Sequence, residues 1–238
     1  MKKNKCILFC VSFCAVIVLF AQSLSAHDMW VQEIEGGFSI ALGHEGKADP
    51  YESARLKDVT GYTENGWPVG LDIDQEKEGC RVMADEAFCA VSALLDNRYW
   101  LKTIDGWENQ RERKGLKIVE EGRSYKHTKH IVKWCAFLSG PVGQRFEIVP
   151  LKDPTSLKQG DSLPVKVFFE GKQTLKASLS KTSNMAKIHD LEPAKDETSV
   201  LVQVGPPGLQ LINAKLVVPV KGKQIVWFAA SLTFHTTK

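Results

Sequence analysis

The feature that most restricts the fold of this chain is the rhythm of its apolar stretches. "GGFSIALG", "WPVGLDI", "CRVMA", "FCAVSALL", "HIVKWCAF", "FEIVPL", "LPVKVFFEG", "TLKASLS", "SVLVQV", "AKLVVPV" and "QIVWFAASLTFHT" are short, alternating or β-branched, and separated by Gly, Pro and Asp. Such runs between turn signals read as strands, and strands at this spacing argue for β-sandwich domains over a helical or α/β architecture. The expected fold is mostly β.

Punctuation then divides the chain. In "EIVPLKDPTSLKQGDSLPVKVFFEGK" the residues Pro150, Pro154, Gly160 and Pro164 interrupt two hydrophobic strands, a pattern that opens a new sandwich. We place a boundary near residue 145, giving an N-terminal β-rich domain over 27–145 and an immunoglobulin-like sandwich over 146–238. Within the first domain, "NRYWLKTIDGWENQRERKGLKIVEEGRSYKHTKH" is polar and weakly periodic. It reads as a long insertion with room for a short helix around 107–120, and sites are often built on such insertions.

The front of the chain reads as an export signal. Lys2, Lys3 and Lys5 precede the apolar "CILFCVSFCAVIVLF" and the small-residue "SLSA". Cleavage after Ala26 is expected, giving an exported protein; Cys6, Cys10 and Cys14 lie too early for a lipid-anchor signal. Without the leader lysines the 31 Lys and Arg fall to 28, equal to the 28 Asp and Glu. A neutral surface carries no electrostatic footprint for nucleic acid or anionic membrane.

Cleavage there would make His27 the first residue, carrying an α-amine and an imidazole that can both be deprotonated near neutral pH. The remaining histidines are His44, His127, His130, His189 and His235. His44 lies in the glycine-flanked turn "LGHEGK", beside Glu45 as a possible oxygen ligand. His127 and His130 would share a helix face but point to opposite faces of a strand. His189 and His235, isolated in the second half, read as ordinary histidines. Imidazole suits nickel, cobalt, copper and zinc, and the cysteines lack paired zinc-site spacing, so a nitrogen-rich divalent site is the better expectation. In an oxidising compartment, Cys80 and Cys89 of "CRVMADEAFC" are candidates for a hairpin disulfide that would leave Cys135 free, although spacing alone does not fix connectivity. G-x-S-x-G, H-E-x-x-H and a phosphate loop are all missing from the sequence, which argues against hydrolytic catalysis.

Several segments together, "HDMWVQ", "ALGHEG", "YWLKTIDGWEN", "SYKHTKHIVKW", the linker quoted above and "WFAASLTF", resemble a family of bacterial periplasmic domain-of-unknown-function proteins linked to nickel and cobalt uptake, the NikK-like accessory proteins. The resemblance implies a two-domain β protein that holds a divalent transition metal, Ni(II) or Co(II) ahead of Cu(II) or Zn(II), for a cytoplasmic-membrane permease. His27 and His44 correspond to the family's terminal and post-strand histidines, and Tyr125 and Lys129 to its tyrosine-lysine strand. "VGPPGLQLINAKLVVPV" lacks the longer Asp- and Gly-rich turn of many relatives, so the resemblance supplies no ligand from the second domain. The expected function is non-enzymatic metal capture by His27, His44, His127 and His130. The alternatives are a copper protein or oxidase built on an N-terminal histidine chelate, and an envelope interaction module without metal.

Overall fold

The computed structural model describes residues 27–44, 47–76, 79–83, 87–109, 113–183, 188–191 and 198–236; the expected leader over 1–26 and the candidate Glu45 lie outside them. In chain order the strands are β1 (Asp28–Ile34), β2 (Gly37–His44), β3 (Lys47–Ala48), β4 (Leu56–Tyr62), β5 (Pro68–Gly70), β6 (Ile73–Glu76), β7 (Gly79–Met83), β8 (Ala90–Thr103) and β9 (Trp107–Glu108). They continue as β10 (Ile118–Ile131), β11 (Phe146–Pro150), β12 (Ser162–Phe169), β13 (Lys172–Gln173), β14 (Ser178–Ser183), β15 (Ile188–Leu191), β16 (Val200–Gln203), β17 (Gly208–Lys221) and β18 (Gln224–Thr236). Among the described residues the helical segments are two 3-10 turns, Ser53–Arg55 and Ala136–Ser139. The chain is mostly β, as its rhythm predicts.

The strands form three sheets. A nine-stranded sheet runs β15-β14-β17-β18-β10-β8-β4-β5, with β9 beside β8; a five-stranded sheet runs β1-β2-β7-β6, with β3 beside β2; a four-stranded sheet is β11-β12-β13, with β16 on β12. The large sheet crosses the boundary expected near residue 145, because β10 pairs in parallel with β18 over Glu121–Ile131 and Gln224–Phe234. Successive side chains of a strand leave on opposite faces, and both faces of this sheet are used. Phe228, Ala230, Leu232 and Phe234 of β18 pack with Phe146 and Ile148 of β11 and Leu163 and Val165 of β12. Val91, Ala93 and Leu95 of β8 pack with Met29 and Val31 of β1 and Phe38, Ile40 and Leu42 of β2. At about 25 cal/mol per Å² of apolar area removed from water, these two cores are the main source of stability.

Three expectations are corrected. Among the described residues of 107–120 there is no helix: Trp107–Glu108 is β9 and β10 begins at Ile118, while Gly106 and Gly115 take positive φ, at 143° and 82°. The strand expected from "HIVKWCAF" stops at Ile131, because the N–H groups of Val132 and Lys133 both turn onto the carbonyl of Cys89. That contact also decides the cysteine pairing. It lays residues 132–135 alongside Cys89, and the disulfide is Cys89–Cys135, with Cα atoms 6.0 Å apart, in place of Cys80–Cys89. Cys80 is free and buried, facing the core between β2 and β8.

Candidate functional site

The site begins with strand register. β1 and β2 are antiparallel with Asp28 opposite Gly43 and Met29 opposite Leu42, so one step further along brings His27 opposite His44. Facing residues of an antiparallel pair have Cβ atoms about 5 Å apart. The two rings accordingly meet, with centroids 4.2 Å apart and planes inclined at 38°. The core residues Met29, Val31, Leu42 and Ile40 lie on the same strand faces, so the two histidines continue the apolar stripe to the point where it reaches solvent. Just beyond His44 the chain reverses into β3, pairing Gly43 with Ala48. A Cβ on Gly43 would lie 2.0 Å from the Lys47 carbonyl oxygen, so this tight return requires glycine.

The return delivers Asp49, whose N–H donates to the Leu42 carbonyl at 2.7 Å. Its Oδ2 lies 3.1 Å from Nε2 of His27, with both side chains roughly half exposed. A carboxylate accepts only, so Nε2 of His27 carries the proton and Nδ1 keeps its lone pair. Partial burial, followed by the neighbouring His44, holds the His27 imidazole below its ordinary pKa, with Asp49 acting in the opposite direction. Carboxylate-oriented histidine is the usual outer-shell arrangement of a metal ligand.

The strand carrying His27 is held from beneath. Along its free edge the carbonyls of His27, Met29 and Val31 accept from Lys126 Nζ of β10 and from Ser231 Oγ and Thr233 Oγ1 of β18. An edge strand has unpaired backbone groups, and here side chains of the large sheet satisfy them. Lys126 is 2% exposed. Burial pushes its pKa down to about 8, opposed by Asp28. Burial also raises the Asp28 carboxyl, while Lys126, Lys215 and the hydrogen bond from Asn213 draw it back.

The four histidines singled out from the sequence therefore separate. His27 and His44 come together, whereas His127 and His130 lie on β10 with three-residue spacing and leave its opposite faces. His127 stacks on Phe228 with centroids 6.5 Å apart, and its buried Nε2 has no hydrogen-bond partner among the described residues. Burial, reinforced by Arg145, lowers its pKa to about 4. It is a neutral ring packed among aromatic side chains and does not reach His27. His130 is fully buried, with Nδ1 2.9 Å from Thr233 Oγ1 and Nε2 3.2 Å from Glu33 Oε1. His235, read from the sequence as an ordinary histidine, stands edge-on to it with centroids 6.1 Å apart. Among the described residues no group of three His, Cys, Asp or Glu side chains is already arranged to hold a metal ion; the His27 and His44 rings lie against each other.

Sequence reasoning missed Asp49 and Lys126. Asp49 would have followed from pairing β2 with β3, but the tie from Lys126 to His27 spans 99 positions and leaves no local signal. None of the curated proteins matches the chain. A family model described as Domain of unknown function (DUF4198) matches residues 24–205, which include β1, the His27–His44 pair and all of β10, and the chain belongs to that family.

Proposed function

We propose that this is a periplasmic metal-binding protein of the NikK-like kind, which captures Ni(II) or Co(II) and supports its uptake by a permease of the cytoplasmic membrane. The observation that carries this reading is the meeting of His27 and His44 at 4.2 Å on a strand end held by Lys126. If export removes residues 1–26, the α-amine of His27 and its Nδ1 close a small chelate ring on one residue, and His44 supplies a third nitrogen by turning its ring. Asp49 favours this arrangement because it occupies Nε2 and leaves Nδ1 to the metal. Nitrogen donors suit Ni(II), Co(II) and Cu(II). A site with three protein nitrogens keeps open positions for water or a small chelator, so the ion remains releasable.

The test is calorimetric titration with Ni(II), Co(II) and Cu(II) of two forms, one beginning at His27 and one with an additional alanine ahead of it. The expected result is about one equivalent bound at the His27 end by the first form, beyond any ion held elsewhere in the protein, and an affinity for that equivalent at least about tenfold weaker, about 1.4 kcal/mol, in the second. Equal affinities would remove the terminal chelate, and no binding by either form would favour an envelope interaction module. Copper binding accompanied by peroxide consumption would favour the oxidase alternative.

A further inference from the structure

A second arrangement of donors lies at the far end of β1. Thr233 has one hydroxyl proton, and its donation to the Val31 carbonyl at 3.3 Å leaves the oxygen to accept from His130. With the hydroxyl proton on the Val31 carbonyl, His130 Nδ1 carries the hydrogen, the tautomer in which this place can take a cation. In the neutral ring Nε2 is then a bare lone pair, and it faces the Glu33 carboxylate at 3.2 Å. Two acceptors at that distance need a proton or a cation between them. On a cation about 2.1 Å from each donor, a 3.2 Å separation subtends about 100°, between the octahedral and tetrahedral angles. The second ring nitrogen is fixed by a hydrogen bond to a partner that is itself anchored to backbone, which is how proteins set the tautomer of a metal-ligating histidine.

We propose that Glu33, His130 and His235 form a second binding site for a divalent transition-metal cation. His130 and Glu33 already stand at ligand spacing. His235 is exposed on β18 and turns its ring 6.1 Å from that of His130, so a side-chain rotation brings in the third donor without moving the backbone. Glu33 is half exposed and covers the buried His130 nitrogen, so a swing of the Glu33 side chain gives the ion its route. Glu33 is six residues from His27 along an extended strand, about 20 Å at ~3.3 Å per residue. One ion cannot serve both places, so this site stands or falls independently of the His27–His44 pair.

The experiment uses the exported protein carrying His27→Ala and His44→Ala, titrated with Co(II) and followed by its visible absorption. The expected result is about one equivalent bound, weakened at least tenfold by adding either Glu33→Gln or His235→Asn, both surface changes that leave the core intact. No Co(II) binding in the double variant would overturn the proposal, as would binding that neither added substitution alters. Nitrogen NMR of the imidazoles gives a second readout with Zn(II): the His130 Nε2 resonance shifts on metal addition while Nδ1–H persists. A proton that stays on Nε2 at saturating Zn(II) would identify a plain histidine–carboxylate ion pair and overturn the metal site.

Discussion

On the face of β10 that meets the four-stranded sheet, Lys129 donates to Glu147 at 2.6 Å, and both side chains are almost completely buried. The same carboxylate accepts from the backbone N–H groups of Val142, Gly143 and Gln144 at 2.9–3.3 Å. On the opposite face Lys126 donates to the backbone of His27, and His130 spans Thr233 and Glu33. The first network is closed: every charge in it has its partners inside the fold, and it links β10 to the loop before β11. The second uses its donors to hold a strand whose own side chains, His27 and Glu33, remain half exposed. The difference teaches that a buried lysine in this protein is defined by what it holds. Lys129 serves stability, and Lys126 serves the position of the proposed ligands.

The comparison breaks most easily at Lys129. Replacing it with alanine leaves Glu147 buried without its counter-charge, a change expected to cost about 3–5 kcal/mol. Urea denaturation reads that loss, and Ni(II) affinity of the folded protein should not change.

Next in size is an acid effect on the same face. His127 titrates near ~6.5 in an unfolded chain and at about 4 in the fold, because burial disfavours the charged ring. Between those values the unfolded chain binds more protons, so stability rises with pH. The contribution is complete above about pH 6.5, is lost as pH falls toward 4, and amounts to about 3 kcal/mol. Denaturation curves of His127→Gln should be flatter than those of the parent over that window.

Lys126→Met sharpens the contrast from the other face. Loss of the tether to the His27 carbonyl should weaken Ni(II) binding by about tenfold, about 1.4 kcal/mol, with a smaller loss of stability than Lys129→Ala. Unchanged affinity alongside a comparable loss of stability would make the two lysines equivalent and end the distinction. Smallest is Ser231→Ala, which removes the donor to the Met29 carbonyl and the 2.7 Å contact with Thr128. About 1 kcal/mol of stability should go, with Ni(II) affinity preserved, because the neighbouring ties from Lys126 and Thr233 remain.

Much of the fold was legible in the chain. Short alternating runs between Gly, Pro and Asp correspond to β2, β7, β11, β12, β16, β17 and β18, because burial on one or both faces of a strand imposes its residue pattern locally. The failures lie where contacts from afar overrode local preference. "HIVKWCAF" has strand composition, yet Cys89 captures the N–H groups of Val132 and Lys133 and bends the chain into its disulfide with Cys135. The polar stretch from Ile118 has weak periodicity of its own, and becomes strand because β8 on one side and β18 on the other pair with β10.

The site divides in the same way. By itself the sequence determined which residues could bind a metal, since histidine chemistry belongs to the residue, and it determined that His127 and His130 would separate once their segment is a strand. Only the tertiary structure decided that His27 faces His44, that Asp49 orients it, that Lys126 holds it, and that Glu33 and His235 stand near His130. Those relations depend on strand register and sheet order, which follow from how whole faces are buried together, and no short window of sequence carries that information.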